Sequence, residues 1–500
     1  MKSETDISRI IIVGGGTAGW IAACYLERFL SRVGSKITLI ESPSIDTIGV
    51  GEATLPTIVR FLRNMGFDEQ EFMRECKATY KLGINFQNWV SKEHNYWHPF
   101  GVCGSIIDGI DLFHFWVNAG LQDKELYSDY SLQAQVAAKG RAPNLKEDVS
   151  KIIENGAYAY HLDAGEFAKY LKRKAVSSGV EHIFADVDEV SLNNEGAIEY
   201  LTTKEANKYE ADLYIDCTGF RGRLISEAMQ VPFIDWSDYL LCDKAVALSF
   251  ENKNEMKANT NAVALEAGWS WQIPLSDRLG CGYVYSSEHK NETEALDELM
   301  LLMRDKNALS DEPKSLTMPV GHRKHFWREN CLSLGLAGGF LEPLESTGIH
   351  LIQFGLETFM DYFPDRMFDP SLVNAYNAKM TSTYEESRDF LMLHYYVSKR
   401  EDTNFWNDCR RTKQPASLDA LLNLYDETGI IESANTRVFP PTSYFHILSG
   451  GKRYPRRALS MTNVSDLERV NQIMLNIKKN NSTIIEQLPD HKTLIEAINS

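Results

Sequence analysis

The chain has 500 residues, 43% of them hydrophobic, 24% charged and 11% aromatic, with a formal net charge of −17. That length suits two or three packed units, the acidity argues against a nucleic-acid surface, and no apolar run approaches the roughly 18 residues of a membrane span. The N-terminus lacks the basic stretch and cleavage site of a signal peptide, and the eight scattered cysteines match neither a disulfide framework nor a zinc spacing, so a reducing cytoplasm, no metal and no membrane are expected.

The first predicted element is a buried strand, RIIIV, running into Gly14-Gly15-Gly16-Thr17-Ala18-Gly19, then a helix and a second strand that ends at Glu41. Gly14, Gly16 and Gly19 take the positions of a GxGxxG turn. Its glycines allow close backbone approach, and the helix start at Thr17 and Ala18 offers N–H groups to a pyrophosphate. Glu41 stands where an acid accepts from ribose hydroxyls. Next, "IGVGEATLP" supplies Gly51, Glu52 and Ala53 in a second glycine-rich loop, and about 90–150 reads as an aromatic, loop-rich insertion. "HLDAGEFAKYL" predicts a helix, followed by "HIFADVDEV" with Val187, and "DLYIDCTGFRG" brings Asp216, Thr218 and Gly219 to a strand end.

Strand-like runs at about 235–320 predict a second sheet, after which "GLAGGF" and "FLEPLESTG" carry Gly338 and Leu344 into a long helix. The expected division is 1–360, a nucleotide-binding module with the insertion and second sheet, and 361–500, a mainly helical region. A nucleotide site drawn from several distant segments suits a long dinucleotide. These pieces resemble the FAD-binding, Rossmann-like fold of the flavin monooxygenase superfamily, so the expected class is α/β with a second sheet and a helical C-terminal region. No second GxGxxG for NAD(P)H is visible, so the flavin is expected to be reduced elsewhere.

Three further stretches narrow the reading. "GWSWQIP" holds Trp269, Trp271 and Pro274; in a strand, residues two apart share a face. "FLEPLESTG" holds Glu345, Thr347 and Gly348, and "ATYKLGINFQNW" holds Lys81. Together these resemble the flavin-dependent halogenases, typified by tryptophan halogenases. The resemblance implies that FADH2 and O2 oxidise chloride, bromide or iodide to hypohalous acid, which reaches a separate aromatic substrate. It also implies a separate flavin reductase as partner and leaves a homodimer open.

On that resemblance, Thr347 and Gly348 bind halide through amides at a helix start, and Lys81 holds the oxidant by hydrogen bond or as a haloamine. Glu345 polarises the oxidant and accepts the ring proton. Trp269 and Trp271, fixed by Pro274, keep the substrate off the flavin; the plain alternative is core packing. "HNYWHPFG" offers His98, Pro99 and Phe100 as substrate walls, with Tyr444 and Phe445 at the mouth. The lid that grips free tryptophan in tryptophan-specific members is replaced by a short, prolyl stretch, so an indole or other electron-rich aromatic is expected. An aromatic hydroxylase on the same scaffold is the alternative.

Overall fold

The computed structural model describes residues 6–44, 51–143, 158–252, 256–310, 312–432 and 437–500. Ile48, Gly49 and Val50 of the second glycine-rich loop, the end of the predicted insertion, and Asn435 and Thr436 lie outside them. The chain divides into two compact units, each assembled from three stretches: 1–77, 162–237 and 319–385 form one, and 78–161, 238–318 and 386–500 the other.

The first unit is built on a six-stranded sheet, in the order Glu181–Phe184, Lys36–Glu41, Arg9–Val13, Leu213–Asp216, Cys331–Ser333 and Trp327–Arg328. The first five strands pair in parallel and the last is antiparallel. Ile10 to Val13 are all buried, as a central parallel strand covered on both faces requires. Helices Thr17–Leu30 and Ala164–Ser178 pack against each other. The second begins where the Asp163 carboxylate accepts the Glu166 N–H and stops at Gly179, whose φ is +117°, a cap at each end that local sequence dictates. Leu224, Ile225, Met229 and Val231 cover one sheet face against Ile11, Val13 and Tyr214. Helix Thr347–Asp361 belongs to this unit.

The second unit holds a seven-stranded sheet: Lys314–Thr317, Lys244–Phe250, Leu279–Tyr285, Gly268–Pro274, Thr260–Leu265, Gly83–Gln87 and Asn95–Pro99. All neighbours are antiparallel except Thr260–Leu265 with Gly83–Gln87. Trp269 lies opposite Val284, and Trp271 opposite Gly282. A Cβ on Gly282 would come within 2.1 Å of the Trp271 ring, so the missing side chain is the room the indole occupies. Val246, Phe250, Leu279 and Tyr283 pack with Ala295 and Leu299 of helix Glu292–Leu302. Beyond residue 400 the described elements are mainly α-helices: Asn404–Arg411, Ala416–Thr428, Pro441–Gly450, Leu467–Gln487 and His491–Asn499.

All eight cysteines are buried, and burial pushes the Cys24 and Cys281 thiols up to about 12, which keeps them as unreactive packing groups. Among the described residues no helix is long and apolar enough to cross a membrane.

Candidate active site

In the first unit the GxGxxG turn has the shape its sequence implies. Gly14 has φ +118°, and a Cβ there would meet the Cys217 carbonyl oxygen at 2.2 Å; one on Gly19 would meet the Gly14 carbonyl oxygen at 1.9 Å. Both contacts are backbone, so neither position tolerates a side chain. Around Gly16 the space is open, and no side chain caps the helix that starts at Thr17. Open space in front of uncapped helix N–H groups fits a pyrophosphate. Glu41 lies against Gly15 and accepts from Lys172 Nζ and His182 Nε2, each at 2.8 Å and both on Oε2. Its Oε1 lies against Gly15, at the strand end from which an acid can accept from a ribose hydroxyl.

The other nucleotide residues are less uniform. Asp216 is fully buried, and its carboxylate accepts from Thr218 N at 3.0 Å, Thr218 Oγ1 at 2.6 Å, Leu224 N at 2.7 Å and Ile225 N at 2.8 Å. Those four bonds shape the loop through Gly219, whose φ is +69° and whose Cβ direction is open. Burial nevertheless raises the Asp216 pKa. Gly51, Glu52 and Ala53 form a short strand, Val187 opens a small antiparallel sheet, and Gly338 and Leu344 stand on the approach to helix Thr347–Asp361. The open turn, the acid at the strand end and the uncapped helix together fit FAD.

Ahead of that helix Ser346 takes a left-handed conformation, φ 61° and ψ 37°, and contributes no side-chain cap. Thr347 is buried, whereas Gly348 is exposed with open space at its Cβ position. Glu345 is fully buried. One turn on, His350 Nδ1 contacts Thr57 Oγ1 at 3.2 Å, and burial pushes its pKa down to about 4, leaving a neutral ring. An uncapped helix start can take an anion, and here the neutral His350 ring stands one turn on while the buried Glu345 carboxyl precedes the helix.

In the second unit Lys81 ends the strand Thr79–Lys81 and is fully buried, its ammonium 5.0 Å from the centre of the Phe100 ring. Thr79 Oγ1 donates to the Pro274 carbonyl at 2.6 Å. It therefore accepts from His161 Nδ1 at 3.1 Å, leaving Nε2 to accept from Thr260 Oγ1 at 2.9 Å. His161 is held neutral, its pKa well below the ordinary value through burial and then through Lys81 and His491. The lysine strand is thereby bolted to the end of the tryptophan strand. Trp269 and Trp271 are both buried, their rings 6.4 Å apart and tilted at 62°.

His98 and Pro99 end the strand that leads to Phe100. The His98 ring lies 5.6 Å from Phe390 and 6.4 Å from Phe439, which stack on each other at 3.9 Å, and Tyr444 meets Phe390 edge-on at 4.8 Å. Phe445 stacks on Phe113 at 4.2 Å, and neither Tyr444 nor Phe445 reaches the surface. The structure thus joins Lys81 to Phe100, and His98 to Tyr444 through Phe390 and Phe439. The last two were not singled out from sequence. Phe439 was visible only as an aromatic before Pro440-Pro441, and Phe390 lies within a long helix with no local signal.

The first unit's parallel sheet with its open glycine turn, and the second unit's buried lysine and tryptophan pair, are each what a flavin-dependent oxidoreductase of this kind requires. The chain belongs to the tryptophan halogenase family, whose model matches residues 9–466. It is 34% identical to tryptophan 6-halogenase ThaL of Streptomyces albogriseolus over 99% of both chains. It is 36% identical to tryptophan 7-halogenase RebH of Lentzea aerocolonigenes over 84% of this chain and 82% of that one. The solved structure of BrvH, a flavin-dependent halogenase from Brevundimonas sp. BAL3, superposes with a TM-score of 0.93 at 35% identity, covering 99% of this chain and 100% of the other. The protein is therefore a flavin-dependent halogenase, in a family that uses FADH2, halide and O2. A hydroxylase finds no support among these relatives.

Proposed function

We propose that the chain halogenates an indole or comparably electron-rich aromatic in preference to free tryptophan, with FADH2 delivered by a separate flavin reductase. The observation that carries this reading is the aromatic cluster of His98, Phe390, Phe439 and Tyr444, reached along the strand that ends beside Phe100 and Lys81. Planar rings of this kind hold another ring by stacking. The nearby carboxylates are engaged: Glu386 accepts the N–H groups of Arg437, Val438 and Phe439, and Asp389 pairs with Arg388 and Ser417. These bonds occupy most of the acceptor sites that an amino-acid ammonium would need, whereas a neutral ring needs none of them.

The Gly14–Gly19 turn, Glu41 and the segments through Gly51–Ala53, Val187, Asp216–Gly219 and Gly338–Leu344 would hold the flavin, whose reduced form, FADH2, would supply with O2 the two-electron oxidation of halide. The amides of Thr347 and Gly348 bind the halide. Lys81 holds hypohalous acid by hydrogen bond or carries the halogen on its amine; both routes need that nitrogen. Glu345 takes the proton released by the ring. Trp269 and Trp271, on a strand fixed at Pro274, exclude the substrate from the flavin.

The test is incubation with FAD, a flavin reductase, NADH and each halide, with indole and free tryptophan as parallel substrates, read by mass spectrometry. A bromine isotope doublet on indole, well above that on tryptophan, is expected. Equal or better conversion of tryptophan would remove the substrate reading. Lys81→Ala should lower product about 100-fold or more while flavin reoxidation continues and the oxidant leaves as free hypohalous acid.

A further inference from the structure

The strand that carries Lys81 lies at the edge of its sheet, paired on one side with residues 159–161, where Thr79 faces His161 and Lys81 faces Ala159. On its other side the chain should continue a parallel ladder. Ile84 faces Thr260 in that ladder, and Leu82 N–H donates to the Ala258 carbonyl at 2.7 Å. Carried back by the same register, Tyr80 falls opposite Met256.

A side chain links the two. Tyr80 N–H donates to His491 Nε2 at 3.3 Å, and His491 Nδ1 lies 2.6 Å from the Met256 carbonyl oxygen. Since Nε2 accepts, the ring proton sits on Nδ1 and is given to Met256. The neutral imidazole is thus a rung between two chain segments, taking a bond from one and giving a bond to the other. An unpaired strand edge leaves its N–H groups without partners; here a side chain from the last helix closes it.

That helix is itself held in place. His491 N–H donates to the Gly140 carbonyl at 3.0 Å, Ala142 N–H to the Pro489 carbonyl at 3.0 Å, and the Arg141 guanidinium to the Leu488 carbonyl at 3.2 Å. The Asp490 carboxylate caps the helix by accepting Thr493 N–H at 2.9 Å. His491 is fully buried. It also lies beyond residue 466, where the match to the family model ends.

We propose that His491 is a positioning residue for Lys81: it fixes the backbone on one side of the lysine, as the bond from Leu82 to Ala258 fixes the other, and so sets where the amine stands. This rests on the role given to Lys81 above. His491→Gln keeps an acceptor for Tyr80 and a donor for Met256, whereas His491→Ala keeps neither.

Two readouts test it. Amide hydrogen exchange across residues 79–82, in the full chain without flavin or halide, should speed at Tyr80 by about tenfold or more in His491→Ala. Brominated indole formed per flavin oxidised should fall about tenfold to a hundredfold, with FAD affinity unchanged within about twofold and the missing oxidant appearing as free hypohalous acid captured by an added halogen acceptor. His491→Gln should recover most of both. Where the alanine chain does not fold, His491→Leu, which fills the space without polar atoms, takes its place in the comparison. Unchanged exchange and product yield without the imidazole, or equal losses in the glutamine and apolar chains at equal thermal stability, would overturn the proposal. Lys81→Ala run alongside separates the two readings: normal halogenation by that variant removes the role of Lys81, while the exchange data still decide whether His491 holds the strand.

Discussion

Asp216 shows how a residue can sit in the expected place and do unexpected work. Its motif position suggested contact with the cofactor, yet all four of its hydrogen bonds close the loop that follows its own strand. A buried carboxylate with four donors is costly to remove, because each donor left behind loses its partner. Asp216→Ala should therefore cost about 3 kcal/mol or more, seen as a lower urea midpoint in the flavin-free chain, with any loss of FAD affinity following from the altered loop. Loss of FAD binding at unchanged stability would return Asp216 to direct contact. Local sequence marks such a residue but not its partners, since Leu224 and Ile225 reach it only once the following helix has formed.

Among the elements, the tryptophan strand was readable in its face and not in its register. Alternation placed Trp269 and Trp271 on one side, as the structure has them. Nothing near either residue announced Gly282, because strand pairing is set by the hydrophobic pattern of both strands and by the turn between them. Gly282→Ala drives a Cβ into the Trp271 ring. The variant should lose about 1–3 kcal/mol, as overpacked cores do, and show altered near-ultraviolet circular dichroism from the displaced indole. Hydroxylated indole from this variant would support the partition. A change in stability alone would leave Trp271 as core packing. The strand bearing Lys81 was similarly half-legible: its motif drew attention to the lysine, but the braces from His161 and His491 come from distant parts of the chain.

For the molecule as a whole, the parallel nucleotide sheet, the second sheet and the helical C-terminal region were expected from periodicity and resemblance. The burial of so many histidines was not, because an isolated histidine carries no signal of its surroundings. Burial pushes His114, His350 and His491 down to about 4, and His161 and His446 well below the ordinary value of 6.5. Between pH 6.5 and about 4 the unfolded chain binds protons that the folded chain refuses, so stability is present above 6.5 and lost as pH falls. Each such histidine contributes about 1.4 kcal/mol per pH unit. Asp111, Asp216, Glu386 and Asp389, whose carboxyls burial raises, act in the opposite sense and soften the loss. Urea midpoints should thus fall clearly between pH 7.5 and 5.5; a flat profile would mean that these rings are charged in the folded chain. The interleaved build has a further consequence, for synthesis. Neither unit is complete until late in the chain, and Tyr80, next to Lys81, precedes the histidine that braces it by 411 positions. At about 5–20 residues per second the ribosome needs roughly 20–80 s to cover that distance. Throughout that time the bond from Tyr80 to His491 cannot form, so chains truncated before His491 should yield a smaller folded fraction than the full chain.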